Sequence, residues 1–339
     1  MRVGTIGSGV IVDRMIDAMK QTKDVEVVAV YSRTKEKAEA YAKKHQIKKS
    51  YYDLEEMFQD NNIDTIYVAS PNSLHFEQSK KALQAGKHVI CEKPFTPTLK
   101  EAEELFHIAK EKNVYIFEAI TTIHLPNYQI VKDHLKDVGN IRLVQCNFSQ
   151  FSSRYDQYKN HQVTNVFDPA FNGGSLMDIN VYCLHFVTGL FGSPLSSQYI
   201  ANKGFNGIDT SGVVLMRYPD MLAICTGAKD SSSPNHVYIQ GDQGTLDIHG
   251  SSCGVCAKVD FLPVKGDMIG KKEQNASVSL GVHQKPHMVY ECEAFQSIIE
   301  NQDLQTYERL CDHTCEVVSL LETSIQQRGA VTSNTISKP

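Results

Sequence analysis

The chain contains no tryptophan among its 339 residues, so its own fluorescence is weak. It has no apolar run near the ~20 residues that cross a bilayer, and a membrane-spanning helix is not expected. Positive charge is not in excess: 34 Lys+Arg against 39 Asp+Glu leave a net charge of −5. The broad basic field that marks nucleic-acid binding is therefore missing. No basic stretch followed by an apolar one opens the chain, so the expectation is a protein without a secretory leader, in the cytoplasm. The nine cysteines, from Cys91 to Cys315, are an odd number. A chain of this length stabilises itself by burial, and these residues read as reduced thiols rather than staples. Internal repeats and low-complexity linkers are also absent.

What is present is an ordinary globular composition, 41% apolar and 22% charged, long enough for two domains. Short apolar runs at Val3–Ile6, Val25–Tyr31, Thr65–Ala69, His88–Cys91 and Val114–Ala119 alternate with amphipathic stretches. That order predicts βαβ units and a parallel sheet buried on both faces. Val12, Met15, Ile16 and Met19 make one apolar helix face. Thr98 and Glu101 form a capping box for another helix. After about Thr121 the pattern changes. Pro126 opens a helix, Ile141–Phe151 alternates as a strand, and a helix is expected from about Gly174 to Leu190. From Ser197 to about Leu280 strands and turns dominate, with hairpins at Tyr218-Pro219-Asp220 and Gly241-Asp242-Gln243-Gly244. Two helices close the chain. The reading is an α/β fold: a doubly wound parallel domain over 1–121, an α+β domain with a mostly antiparallel sheet over 122–330, and a polar tail over 331–339.

Gly7-Ser8-Gly9-Val10-Ile11-Val12 sits at the first strand-to-helix turn. There the first glycine allows the turn and the second lets backbone approach a pyrophosphate resting on the helix N-terminus. The third position, usually Gly or Ala, is Val12. About 20 residues further on, where an acidic residue would bind a ribose 2′-hydroxyl, stand Ser32 and Arg33. A carboxylate would repel a 2′-phosphate and an arginine pairs with it, so the pattern favours NADP over NAD. Two more segments lie at strand ends, where ligands bind in such sheets. They are Ser70-Pro71-Asn72 with His75, and Glu92-Lys93-Pro94, in which Pro94 holds Lys93 extended.

In this order the glycine turn, the Ser-Pro-Asn segment with His75 and the Glu-Lys-Pro segment resemble the Gfo/Idh/MocA oxidoreductases over nearly the whole chain. The resemblance implies a Rossmann domain followed by a sheet domain that commonly forms a subunit interface, hence a homodimer or homotetramer. It implies that Lys93 contacts substrate beside the nicotinamide. The segment from Asn172-Gly173-Gly174 to His185 resembles the family's second motif, with Asp178 and Tyr182 one helical turn apart. The common family form carries His where Tyr182 stands. Tyrosine there resembles the glucose–fructose oxidoreductase and dihydrodiol dehydrogenase branch.

The expectation is an NAD(P)-dependent enzyme acting on a sugar, polyol or cyclic diol. Tyr182 is the acid/base, Lys93 lowers its pKa and holds the reacting oxygen, and Asp178 orients. His124, after the last Rossmann strand, is a further candidate substrate contact. Gly7, Gly9, Val10, Ile11, Ser32, Arg33, Ser70, Pro71, Asn72, His75, Glu92 and Lys93 are the candidate cofactor residues. The rival reading is a cofactor- or sugar-sensing regulator. Its expected mark is loss of the lysine or the tyrosine, and both are present. No metal is expected. Cys253-Gly254-Val255-Cys256 lacks the second pair that a zinc ribbon needs and reads as a turn with two reduced thiols. His283, His287 and Glu291 read as a pocket rim, and His185 as structural.

Overall fold

The computed structural model describes residues 1–264 and 277–329; the expected polar tail lies outside them. The first half runs β1 (Arg2–Ile6), α1 (Val10–Met19), β2 (Glu26–Tyr31), α2 (Lys35–His45), β3 (Lys49–Tyr51) and α3 (Leu54–Gln59). It continues through β4 (Thr65–Val68), α4 (His75–Gln84), β5 (His88–Glu92), α5 (Leu99–Lys112) and β6 (Ile116–Ala119). The strands form a six-stranded sheet in the order β3-β2-β1-β4-β5-β6, and every pairing in it is parallel. The chain reverses direction across the sheet between β1 and β4, which opens a crevice beyond their carboxyl ends.

Local chemistry explains the elements. The expected face of α1, Val12, Met15, Ile16 and Met19, is buried. The capping box of Thr98 and Glu101 starts α5. Every residue of β4 and β6 is buried, which is why those runs show no alternation. β3 and α3 went unread because three and six residues are too few to show a period.

The second half runs α6 (Pro126–Asp133), β7 (Ile141–Ser149), α7 (Tyr155–Lys159), α8 (Val181–Phe191), β8 (Ser196–Lys203), β9 (Asp209–Arg217) and β10 (Leu222–Ala228). It ends with β11 (His236–Gly241), β12 (Gly244–His249), β13 (Lys258–Pro263), β14 (Val278–Ser279), α9 (Met288–Asn301) and α10 (Leu304–Gly329). The sheet order is β14-β13-β12-β11-β7-β10-β9-β8. Both expected hairpins form, β9–β10 and β11–β12, and β7–β10 is a parallel pair. Pro126 stands at the start of α6 as expected.

Two features differ from the sequence reading. The expected helix from Gly174 begins as a wide π turn over Leu176–Asn180 before α8, a form common at functional sites. The core also does not follow the division at 121/122. Met288, Val289, Cys292 and Phe295 of α9 pack with Val12, Met15 and Phe117, so the last helices cross back onto the Rossmann layer. On the sheet, α8 covers one face with Val181, Leu184 and Val187 against Val144, Val214 and Ile239. Among the described residues nothing covers the other face: Ile200, Leu215 and Leu222 are 57%, 39% and 55% exposed.

Candidate active site

Gly7 has φ +120°, and a Cβ there would stand 2.6 Å from the Ala69 carbonyl oxygen. The first glycine is thus required by the close approach of the β1 and β4 ends. Gly9 precedes α1, and its carbonyl accepts from Val12 and Asp13. Nothing lies within 4 Å of where its Cβ would be. Val10 is 68% exposed at the head of the helix, whose first amides have no acceptor within the helix. Val12 is fully buried and fills the place of the third glycine as core.

The Ser-Pro-Asn loop follows β4, and Asn72 begins a short 3-10 turn. Asn72 Nδ2 donates to the Asn172 carbonyl at 3.0 Å, tying the loop to the second half. Ser70 Oγ is buried without a partner. His75, read as a cofactor contact, is among the residues that line the Rossmann-side cavity, and its buried ring lies 3.0 Å from both the Pro94 and the Ser70 carbonyl oxygens, between the two loops. Burial pushes it below the ordinary histidine pKa. Glu92, at the end of β5, accepts from Tyr67 Oη at 2.6 Å, and burial raises its pKa. The Lys93–Pro94 bond is cis.

Lys93 Nζ donates to the Asp178 carbonyl at 2.8 Å and to Asp178 Oδ1 at 3.0 Å. It stands 5.0 Å from the centre of the Tyr182 ring. The π turn presents that carbonyl, and Gly174, at φ +108° against the Asp209 side chain, allows the turn to begin there. Asp209 is buried, accepts from the Leu176 amide at 2.7 Å and from Arg328 at 2.5 Å, and so anchors the start of the segment. The Asp178 carboxylate also binds Lys229, a residue the sequence reading missed. Its signal was only a lysine just past the apolar β10 strand, with nothing to show what it faces.

The electrostatics follow from this arrangement. Burial works to raise the Asp178 pKa, but the charges of Lys93 and Lys229 prevail and hold it below the usual carboxylate range. Desolvation works against the Lys93 ammonium, but Asp178 outweighs it and its pKa goes up. Tyr182 reverses the expected direction. Burial pushes the phenol up to about 12, and the nearby Lys93 charge only moderates that rise. The phenol is therefore protonated at neutral pH.

Two cavities of about 280 Å³ each meet at Lys93, Asp178 and Tyr182. One is walled by Ile11, Ser70, Asn72 and Glu92 from the Rossmann loops. The other is walled by Arg14, Thr121, Gln150, Lys229, Gly254 and His287. Of these, only His287 was read as a rim residue. The Cys253–Cys256 turn belongs to this wall: Thr121 Oγ1 donates to the Gly254 carbonyl at 2.9 Å, and Gly254 packs on the Tyr182 ring. His124 is a correction to the substrate-contact reading. It lies edge-on to Phe295 and lines a different groove with His313 and Thr188, because the turn after β6 points it toward α9 and α10. His185, read as structural, is fully buried, with its Nδ1 2.9 Å from His313 Nε2.

The residues at the strand ends of the Rossmann layer are of the kind that hold a dinucleotide. Gly9 leaves an open cradle, Ser70 Oγ lacks a partner, and Arg33 projects exposed from the end of β2 beside buried Ser32.

Comparison with known proteins agrees. The GFO_IDH_MocA family, described as an oxidoreductase family with an NAD-binding Rossmann fold, matches residues 1–119. The GFO/IDH/MocA C-terminal domain matches residues 129–247. A scyllo-inositol 2-dehydrogenase (NADP(+)) of Bacillus subtilis is 34% identical over 98% of this chain and 98% of its own. A trans-1,2-dihydrobenzene-1,2-diol dehydrogenase of Xenopus tropicalis is 31% identical over 66% of this chain and 67% of its own. Among solved structures, a 3-ketoreductase from Actinomadura kijaniata, in complex with NADP and TDP-benzene, superposes with a TM-score of 0.82 at 22% identity. That match covers 96% of this chain and 97% of the other, and it speaks for the fold. With both domains matched in order and a full-length relative above 30% identity, the chain belongs to the Gfo/Idh/MocA family of NAD(P)-dependent oxidoreductases.

Proposed function

We propose that this enzyme moves a hydride between NADP and a carbon bearing the hydroxyl or carbonyl group of a sugar, polyol or cyclic diol, with Tyr182 as the acid/base. The observation that carries the reading is the meeting of two cavities at Lys93, Asp178 and Tyr182, one walled by nucleotide-binding loops and the other by the second domain. When bound, the nicotinamide supplies the redox chemistry, and the protein supplies position and electrostatics. Tyr182, held as a neutral phenol, is poised to give its proton to a substrate carbonyl oxygen. Lys93 directs its ammonium at the same oxygen. Asp178 holds Lys93 in place and shares its own charge with Lys229.

Ser32 and Arg33 just past the end of β2, with no carboxylate at either position, support NADP over NAD. The regulator reading is not favoured, since Lys93 and Tyr182 converge where a cofactor and a substrate would touch. The exposed strip of Ile200, Leu215 and Leu222 supports a homodimer or homotetramer through the eight-stranded sheet, because an apolar face of this kind is stable when covered. Nine free thiols support a reducing compartment such as the cytoplasm.

The test is a parallel fluorescence titration with NADPH and NADH, followed by hydride transfer with sugars, polyols and diols. Tighter NADPH binding, weakened about tenfold or more in Arg33→Ala while NADH is unaffected, is the expected result for a phosphate contact. Equal binding of both cofactors overturns the Arg33 role. Binding of neither overturns the enzyme reading.

A further inference from the structure

Five of the nine cysteines, Cys146, Cys183, Cys225, Cys253 and Cys256, lie in one buried cluster between α8 and the large sheet. They come from β7, α8, β10 and the turn after β12, segments well apart in the chain. Cys146 and Cys225 are register partners on adjacent strands. The sulfurs of Cys146, Cys183 and Cys253 all lie within 4.8 Å of one another, and the Cys183 and Cys253 sulfurs are 3.7 Å apart. Three sulfurs bound to one ion at about 2.3 Å stand roughly 4 Å from each other. The triad is therefore near the size of a three-sulfur coordination shell before any ion arrives.

We propose that Cys146, Cys183 and Cys253 form a binding site for one soft, thiophilic metal ion, directly behind Tyr182. Soft thiolate ligands select thiophilic ions over hard cations, and the described residues place no carboxylate or imidazole in the triad. A divalent ion displaces three thiol protons and leaves a complex of single negative charge, with no change of oxidation state. The sequence reading of Cys253-Gly254-Val255-Cys256, a turn with two reduced thiols, looked only for a second pair of the zinc-ribbon kind. The completing sulfurs come from a strand and a helix distant in sequence, not from a second closely spaced pair.

The site has a route in and a consequence. Ser252, Gly254 and Val255 line the substrate-side cavity, so an ion enters past that turn. Cys183 follows Tyr182, and Gly254 packs on the Tyr182 ring. An ion held there puts a negatively charged trithiolate complex directly behind the Tyr182 ring, and binding inhibits hydride transfer.

The experiment uses the reduced full chain and Cd²⁺ as the probe, followed by the thiolate-to-cadmium charge-transfer band in the ultraviolet. The expected result is one ion per chain, with turnover lost in step with binding. Cys253→Ser and Cys146→Ser should each weaken binding more than the ~10–100-fold typical of losing an outer-shell partner. Cys311→Ser combined with Cys315→Ser, far away on α10, should leave it unchanged. NADPH affinity near that of the unmodified chain certifies each variant as folded. Should the triad variants not fold, X-ray absorption on the unmodified chain with Cd²⁺ decides: three sulfurs on the ion support the site, and fewer overturn it. No saturable binding, full binding in folded Cys253→Ser, or binding lost only in the α10 variant also overturns it.

Discussion

The two sheets bury their residues in different ways, and the difference governs how each contributes to the site. In the parallel sheet β4 and β6 are buried along their whole length, and the chemistry sits in the loops just beyond the strand ends. In the large sheet, β10 and β12 alternate buried with half-buried or exposed residues, since α8 covers one face and the other is open. The parallel sheet thus delivers Ser70, Asn72, Glu92 and Lys93 from contiguous segments. The large sheet and its helices deliver Gln150, Asp178, Tyr182, Lys229, Gly254 and His287 from places scattered between residues 150 and 287. A parallel α/β layer concentrates function at one edge by topology, whereas the second domain assembles its wall one side chain at a time.

This contrast can be tested at both walls. The largest effect is expected at their junction. Tyr182→Phe should lower turnover by about 10²–10⁴-fold, the usual worth of a positioned acid/base, with NADPH affinity nearly unchanged. Steady-state kinetics alongside a cofactor titration check this, and a matching loss of NADPH affinity would place the tyrosine on the cofactor wall instead. Next is the scattered wall. Lys229→Met leaves Asp178 with Lys93 as its remaining ammonium partner, and the misplacement should cost up to about a hundredfold in kcat/KM. Lys229→Arg should restore part of kcat. A variant that loses only thermal stability would reduce Lys229 to a structural role.

The joint between the two regions should show itself through pH. Burial pushes His124 down to about 4 and His313 down to about 3, against about 6.5 in an unfolded chain. Above pH ~6.5 neither state binds the extra proton, so the two histidines carry no penalty. Below it the unfolded chain takes up protons that the native state refuses, and stability falls until the folded values are reached. By pH 5 the loss should be about 2 kcal/mol for each histidine. Thermal unfolding across pH 4 to 7 checks it, and His313→Gln should flatten the slope. The smallest energetic effect is expected on the open sheet face. Leu215→Glu with Leu222→Lys should change the stability of a single chain by about 0.5 kcal/mol or less each. It should nevertheless convert an assembly to monomers in sedimentation. An unchanged mass would remove that face as the interface.

Much of the first domain was legible because its signals are local. A glycine turn after an apolar run, a capping box at Thr98 and Glu101, and a lysine held before Pro94 are each decided within a few residues. Asp178 and Tyr182 were legible as a pair from their spacing of four in a motif-like segment, but not the wide π turn over Leu176–Asn180 that carries Asp178. Lys229, Arg14 and Thr121 were not, because nothing beside them in the chain says which way they face. His124 misled for the same reason: its place after β6 suggested the cleft, and the short turn there sends it to α9 and α10. The phenol of Tyr182 was expected to fall in pKa through the nearby lysine, but depth of burial, which no sequence states, outweighs one charge that Asp178 already holds.

The sequence alone determined the parallel domain, the nucleotide loops, the hairpins of the second sheet and three of the residues at the cleft. The domain and the hairpins follow from hydrophobic period and turn chemistry, and Lys93, Asp178 and Tyr182 from the resemblance of their segments to the family's motifs. Tertiary structure alone decided that Lys229 shares Asp178 with Lys93, that the last helices return to the first domain, and that three cysteines from distant segments meet behind Tyr182. Each of these rests on side chains brought together across long stretches of chain, and only the packed core fixes those distances.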